Sequence, residues 1–146
     1  KKLIVAPHDI GDQNIKRVLN LFNATGVIAS LLSEAKFDTP VIIVDSIGQL
    51  TSIYPLADLA VVGGGFGKGI HNILEPVAHS LAVVTGPNIV RFREAGELLA
   101  DGTLLVAYEQ NKFAGLIWDK ITQCKPKSNW LNSQKGSSIK IASTLP

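Results

Sequence analysis

A segment near the middle of the chain combines clustered glycines with polar side chains. Five glycines lie within the seven residues from Gly63 to Gly69, and a histidine, an asparagine and a glutamate follow closely. Glycine lets backbone N–H groups approach an anion, and the positive end of a helix that follows would point at that anion. The segment therefore indicates a phosphate site, with Lys68 as a point charge beside it.

The polar residues of this segment are Lys68, His71, Asn72 and Glu75. Glycine richness alone also fits a loop that is merely flexible, but such a loop has no use for these side chains. His71 and Glu75 are four residues apart, so on a helix they would share a face. The segment lacks the third glycine of the dinucleotide fingerprint, and Lys68 is not followed by Ser or Thr as in a P-loop.

The rest of the chain alternates apolar runs with amphipathic segments. The runs predict six strands, at Leu3–Ala6, Val27–Ser30, Val41–Val44, Leu59–Val62, Ala82–Thr85 and Thr103–Val106. Helices are predicted over 12–22, Asn72–Ser80, Phe92–Leu99 and Glu109–Cys124, with a last one near 139–145. This order predicts an α/β fold, a Rossmann-like doubly wound parallel sheet of about six strands in a single domain, 1–146.

Several candidate residues follow the predicted strands directly. Pro7 and His8 follow the first strand, and Ile47 and Gly48 follow the third. Open α/β sheets bind ligands beyond the carboxyl ends of their strands. Gly48 has no Cβ, so a flat nucleobase could come close to the backbone there. An ordinary loop histidine also explains His8.

Several other polar residues fit a structural role as well as a role in ligand binding. Asp45 and Ser46 at the end of the third predicted strand fit helix capping as well as ligand binding. Glu75 fits a first-turn glutamate favoured by the helix dipole, and His71 fits a capping histidine. Tyr54 is expected to be a packing residue.

Composition narrows the class of protein. The 146 residues are 46% hydrophobic and 18% charged with a net charge of +2, which favours a buried sheet over a disordered or nucleic-acid-binding chain. Cys124 is the single cysteine, so neither a disulfide framework nor a thiolate metal site is expected. The three histidines have no carboxylate-rich spacing, and no metal or cofactor is predicted. No apolar run is long enough to span a bilayer. The start without Met indicates a piece of a longer protein.

Together these motifs resemble one family. The run GKGIHNILEP, with Pro7-His8, the segment 45–50 with Tyr54, and Gly86-Pro87, resembles the C-terminal half of the 3-deoxy-D-manno-octulosonic acid (Kdo) transferases. These are GT-B glycosyltransferases that add Kdo from CMP-Kdo to lipid A precursors. The resemblance covers about residues 1–124. Many members carry arginines beside and shortly after the histidine of the first loop; here Ile10, Gly11 and Asp12 stand instead.

The resemblance implies a set of donor-binding residues. They are Pro7, His8, Ile47, Gly48, Lys68, Gly69, Ile70, His71, Asn72 and Glu75. Glu75 would accept hydrogen bonds from ribose hydroxyls, and His71 would donate to phosphate or to the sugar carboxylate. The backbone N–H groups of residues 70–72 are expected to be free donors at the start of the helix.

The implied reaction is inverting transfer of Kdo from CMP-Kdo. The catalytic base and the lipid A precursor would belong to an N-terminal acceptor domain absent from this chain, so this part alone is expected to be inactive and soluble. The full-length protein would associate peripherally with the cytoplasmic face of a Gram-negative inner membrane, and no nucleic acid is expected.

Two other functions stay open at this point. One is another GT-B transferase or a sugar-nucleotide epimerase that uses a UDP-sugar, because only the base pocket would differ. The other is a flavodoxin-like regulatory domain. That domain needs a phosphorylatable aspartate at the third strand, where Asp45 stands, but Lys68 is poorly placed for it.

Overall fold

The computed structural model describes residues 1–34 and 38–122. The chain divides into two compact units, Lys1–Ile53 and a second that begins at Tyr54. Each unit contains one three-stranded sheet in which all strands are parallel.

The first unit is built around a central strand that is buried along its whole length. Its elements are β1 (Leu3–Val5), α1 (Asp12–Ala24), β2 (Ala29–Leu31), a 3-10 turn (Leu32–Glu34), β3 (Val41–Ile43) and α2 (Leu50–Ile53). The strand order is β1-β3-β2. The β-branched run of β3 suits this central position, because such side chains pack well on both faces of a pleated sheet.

Helix α1 covers this sheet with the apolar stripe that its sequence predicts. Buried Ile15 packs with β3, and Val18, Leu19 and Phe22 pack against the same cluster. Gly11 is the N-cap, and the helix ends where Gly26 adopts a φ of +74°, a conformation that glycine takes without strain. The predicted start of α1 is thus confirmed, and the helix ends at Ala24, two residues beyond the predicted end.

The second unit also has a buried central strand. Its elements are a 3-10 turn (Tyr54–Leu56), β4 (Ala60–Val61), α3 (Leu74–Ala78), β5 (Val83–Thr85), α4 (Ala95–Ala100), β6 (Leu104–Val106), a 3-10 turn (Gln110–Lys112) and α5 (Phe113–Thr122). The order is β4-β5-β6. Helices α3 and α4 supply Val77 and Leu98 to the core, where they pack with Val83 of β5.

The α/β class and six parallel strands are confirmed, and the strands are divided between two sheets. The apolar runs predict where the strands lie. Strands pair through backbone hydrogen bonds, which almost any residue can make, so the runs do not predict which strands are neighbours in a sheet. The helix expected from Asn72 begins at Leu74, and the one expected from Phe92 begins at Ala95 after a series of turns. Cys124 and the helix predicted near 139–145 lie outside the described residues.

The helices are short. Helix α1, with 13 residues, is the longest in the described ranges. Within those ranges no helix combines the length and the apolar character that crossing a bilayer requires.

A side-chain contact joins two loops at the carboxyl edge of the first sheet. The carboxylate of Asp45, just beyond β3, accepts a hydrogen bond from the Ser33 backbone N–H at 3.2 Å and a second from the Ser33 hydroxyl. The hydrogen bond from the Ser33 hydroxyl lowers the pKa of Asp45, and the bond from the Ser33 backbone N–H lowers it further. Helix α2 begins only at Leu50, so Asp45 connects loops instead of capping a helix.

Replacing Ser33 tests this contact. Ser33→Ala is expected to lower the free energy of unfolding at neutral pH by at most about 1 kcal/mol, because both groups are close to solvent. The folded-state pKa of Asp45 is depressed below its ordinary 3.8, so the contribution is present above that pH and lost as pH falls through the folded value. Urea unfolding at neutral and acid pH measures the difference.

Ser52→Ala is the control, because Ser52 is an exposed helix residue in the same unit. Equal stability of the two variants at neutral pH, or a difference that persists in acid, would contradict the role of Asp45.

Candidate functional site

The glycine-rich loop after β4 is held against the turn after β5 through Asn88. The Asn88 backbone N–H donates to the Gly65 carbonyl at 2.9 Å, and its side-chain amide donates to the Gly67 carbonyl at 2.7 Å. The Asn88 carbonyl in turn accepts from Ile70 N–H at 3.4 Å. One residue therefore bonds to both limbs of the loop.

The two turns touch through their backbones where glycines face each other. A Cβ on Gly65 would lie 2.5 Å from the Gly86 nitrogen, and one on Gly86 would lie 2.6 Å from the Gly65 carbonyl carbon. Gly64 has a φ of +87°, and a Cβ there would meet the Gly69 carbonyl oxygen at 2.2 Å. These glycines permit close packing of the two turns, which is a use for them other than flexibility.

The expectation of free amide donors at residues 70–72 is wrong at two positions. Ile70 N–H bonds to Asn88, as above, and His71 N–H donates to the Gly63 carbonyl at 3.3 Å. The loop uses these donors to close on itself. Among the described residues, the N–H groups of Lys68 and Asn72 donate to no acceptor.

Helix α3 is also shorter than its sequence pattern suggested. It has five residues, starts at Leu74, and its first N–H donates to the Asn72 side chain at 3.0 Å. His71 therefore precedes the helix and does not share a helical face with Glu75. A single turn of helix also contributes less dipole than the longer predicted helix would.

The polar side chains differ in their exposure. Lys68, His71 and Asn72 are exposed, Glu75 is half-buried in the first turn of α3, and the Ile70 side chain lies in the core. Within the described ranges, no ion pair involves Lys68. This set offers a cation, a histidine and a carboxylate on one continuous segment, which suits a ligand with both phosphate and hydroxyl groups.

Glu75 also has an aromatic neighbour that the sequence alone did not associate with it. Burial raises the pKa of the Tyr54 phenol, and the nearby Glu75 carboxylate raises it further. The Tyr54 ring lies 5.6 Å from the His79 ring, one turn after Glu75, and packs against the core. The expectation that Tyr54 packs is confirmed, but nothing in its local sequence indicates that it lies near Glu75.

The candidates of the first unit lie beyond the carboxyl ends of its strands. Pro7 is half-buried and His8 is exposed, both after β1. Ile47 is 85% exposed after β3, and Gly48 has a φ of +83° with open space around its Cβ position. A large apolar side chain so exposed beside an open glycine is a suitable wall for a flat ring. In the described parts of the chain, no group of three or more His, Cys, Asp or Glu residues is arranged to hold a metal ion.

The sequence matches to known proteins all point to one enzyme family. No family model matches the chain. The chain is 37% identical over 89 residues to a Kdo transferase of Haemophilus influenzae, covering 51% of this chain and 21% of the relative. It is 34% identical over 99 residues to the enzyme of Aquifex aeolicus, covering 67% and 27%. A match to the Chlamydia muridarum enzyme, at 28% identity, extends over 98% of this chain and 34% of the relative.

A solved structure supports the fold. The C-terminal CMP-Kdo binding domain of WaaA from Acinetobacter baumannii superposes with a TM-score of 0.72 at 22% identity, covering 97% of this chain and 70% of that one. By fold, the chain is therefore an α/β domain of the same kind as that C-terminal domain. By its sequence matches, it belongs to the Kdo transferase family, of which it represents the C-terminal domain. It spans only 21% to 34% of the length of the three curated relatives named above.

The contact between the two turns can be tested by adding single methyl groups. Gly65→Ala and Gly86→Ala are each expected to lower the free energy of unfolding by about 1–3 kcal/mol or more, because backbone atoms must move apart. Gly96→Ala is the control, since its Cβ position is open and it lies in helix α4, where alanine stabilises by about 0.5–1 kcal/mol. Urea unfolding measures all three, and wild-type stability of Gly65→Ala would disprove the close packing.

Proposed function

We propose that this chain is the donor-binding half of a glycosyltransferase that moves Kdo from CMP-Kdo to a lipid A precursor in lipopolysaccharide biosynthesis. The observation that carries the proposal is the match of the chain to Kdo transferases from several bacteria. The arrangement of the loop after β4, with a cation, a histidine and a carboxylate on one packed segment, is consistent with binding a nucleotide.

In the second unit, the proposed contacts divide by chemistry. Glu75 accepts hydrogen bonds from the two ribose hydroxyls, since a carboxylate is a pure acceptor that can serve two adjacent donors. Lys68, the His71 side chain and the Asn72 N–H face the phosphate and the sugar carboxylate. Gly69 and Ile70 contribute by shaping the backbone of the loop. The Ile70 N–H is hydrogen-bonded to Asn88 and the Ile70 side chain is buried in the core, so neither is available to the ligand.

In the first unit, the proposal assigns the nucleobase to Ile47 and Gly48. The exposed Ile47 side chain offers an apolar surface, and the open space beside Gly48 leaves its backbone accessible. Pro7 and His8 are proposed as further donor contacts at the end of β1.

The proposed reaction is inverting. A base outside this chain deprotonates the acceptor hydroxyl, which attacks the anomeric carbon of Kdo while CMP leaves. Negative charge that develops on the leaving phosphate is stabilised by Lys68 and His71, an electrostatic contribution. The acceptor, the inner membrane location and the turnover belong to the longer protein, and this chain alone is expected to bind donor nucleotide without turnover.

The other two functions have less support. A UDP-sugar enzyme would share the α/β fold, but the curated relatives named above are all Kdo transferases. In a flavodoxin-like regulator, Asp45 would have to be available for phosphorylation, whereas its carboxylate accepts two hydrogen bonds from Ser33.

Comparing CMP with 2′-deoxy-CMP tests the role of Glu75. Wild-type protein should bind CMP more tightly than the deoxy compound, and tighter than UMP or UDP. Glu75→Ala should weaken CMP binding by roughly tenfold to a hundredfold, since a hydrogen bond to a charged group contributes about 1.5–3 kcal/mol. The variant should also lose the preference for the 2′-hydroxyl. Calorimetric titration measures both effects.

Glu97→Ala is the matched control, because Glu97 is likewise in the first turn of a helix in the same unit. The Glu97→Ala variant loses a similar interaction with the helix dipole and should leave CMP affinity unchanged. Unaltered CMP affinity in Glu75→Ala would refute the ribose contact, and tighter binding of UDP than of CMP would refute the donor.

The proposed nucleobase wall is tested separately. Ile47→Ser should weaken CMP binding by about tenfold, because roughly 1.5 kcal/mol of apolar contact is lost, and should leave stability unchanged because the side chain is 85% exposed. Ile28→Ser, at a residue 67% exposed in the same unit, should leave binding unchanged. Equal CMP affinities of the two variants would exclude Ile47 from the site.

A further inference from the structure

The bonds of Asn88 fix the orientation of two peptide units in the glycine-rich loop. Its backbone N–H donates to the Gly65 carbonyl at 2.9 Å, and its side-chain amide donates to the Gly67 carbonyl at 2.7 Å. Both carbonyls therefore point towards Asn88. In a trans peptide unit the N–H group points opposite to the carbonyl, and the described ranges contain no cis peptide bond. The N–H groups of Phe66 and Lys68 consequently point away from Asn88.

The N–H groups along this turn alternate in their use. Those of Gly67 and Gly69 both donate to the Gly64 carbonyl, at 2.9 and 3.3 Å. Those of Phe66 and Lys68 make no hydrogen bond with any residue that the structure describes. The loop thus turns every second donor inward for its own closure and leaves the donors between them for another acceptor.

The free donors lie on an accessible part of the loop. Phe66 and Lys68 are exposed, whereas Asn88 is half-buried behind them. Backbone N–H groups that point to one side of a turn bind anionic oxygens. Because Gly67 has wide conformational freedom, the peptide unit between Gly67 and Lys68 could rotate. The side-chain bond from Asn88 opposes that rotation and keeps the Lys68 N–H facing outward.

We propose that Asn88 is a positioning residue of the donor site. By holding the Gly65 and Gly67 carbonyls, it directs the N–H groups of Phe66 and Lys68 to the phosphate of the bound nucleotide. The inference rests on the proposed function, which supplies the phosphate. It places two backbone hydrogen bonds beside the charge of the Lys68 side chain, so that direction and charge act on the same group.

Asn88→Ala separates this role from general support of the loop. The variant removes only the side-chain bond, because the N–H and carbonyl of residue 88 keep their bonds to Gly65 and Ile70. Affinity for CMP is expected to fall by about tenfold, the factor for one hydrogen bond to a charged group. Affinity for cytidine, which has no phosphate, is expected to stay unchanged. Calorimetric titration measures CMP binding, and ligand-observed NMR measures the weaker binding of cytidine.

Backbone NMR of the purified chain identifies the donors directly. In wild-type protein, CMP should move the N–H resonances of Phe66 and Lys68 downfield, because both groups gain an anionic acceptor, and cytidine should leave them in place. In Asn88→Ala the Lys68 movement should be lost. The Phe66 movement should persist, since the Gly65 carbonyl is held by the backbone N–H of residue 88.

Asn111→Ala is the matched control, because Asn111 is an exposed asparagine in the same unit. It should bind CMP and cytidine like wild type, and thermal unfolding should show that both variants are folded at the temperature of titration.

Equal losses of CMP and cytidine affinity in Asn88→Ala would reveal a merely structural role and overturn the proposal. Unchanged CMP affinity would do the same, as would a Lys68 resonance that moves with free Kdo and not with CMP. In each of these cases wild-type protein still binds CMP through Glu75, so the proposed function stands. Absence of CMP binding by wild-type protein would overturn both.

Discussion

The contact between the backbones of Gly65 and Gly86 is the constraint on which the candidate site of the second unit depends. Both residues follow neighbouring parallel strands, and the distance between those strands determines how close their turns can come. With no Cβ on either residue, the turns pack directly, and Asn88 satisfies carbonyl groups that this packing would otherwise leave unpaired. The loop therefore has a defined course that places its polar side chains.

That packing also limits which groups are available to a ligand. The loop uses the N–H groups of Ile70 and His71 for its own closure, so side chains take a larger part of any anion recognition than in a P-loop. Lys68 and His71 stay exposed while Glu75 is half-buried beside Tyr54. The segment therefore presents a partly shielded carboxylate and a solvated cation, two groups that differ in both charge and exposure.

Much of the architecture was predictable because it depends on local periodicity. The stripe of Ile15, Val18, Leu19 and Phe22 predicts α1, and the β-branched run of β3 predicts a buried central strand. The placement of loops at the carboxyl ends of strands follows from the βα alternation, and the family follows from the segment around His71 and Glu75. Each of these features is encoded within a few consecutive residues.

The features that were not predictable depend on pairs distant in sequence. Ser33 and Asp45 are 12 residues apart, and Asn88 and Gly67 are 21 apart, with no local pattern that associates them. The division of the strands between two sheets depends on backbone pairing, which every residue can provide. The Ile70 N–H likewise donates to Asn88, which is 18 residues away in the sequence. The expectation of a free N–H considered only the start of the helix and not this distant acceptor.

The bonds of Asn88 have a mechanical consequence. Because one residue connects the turn after β5 to both limbs of the loop after β4, neither turn can shift alone without breaking hydrogen bonds. Any displacement of the turn after β5 is therefore expected to carry with it the loop that leads into α3, so the two turns form one mechanical unit.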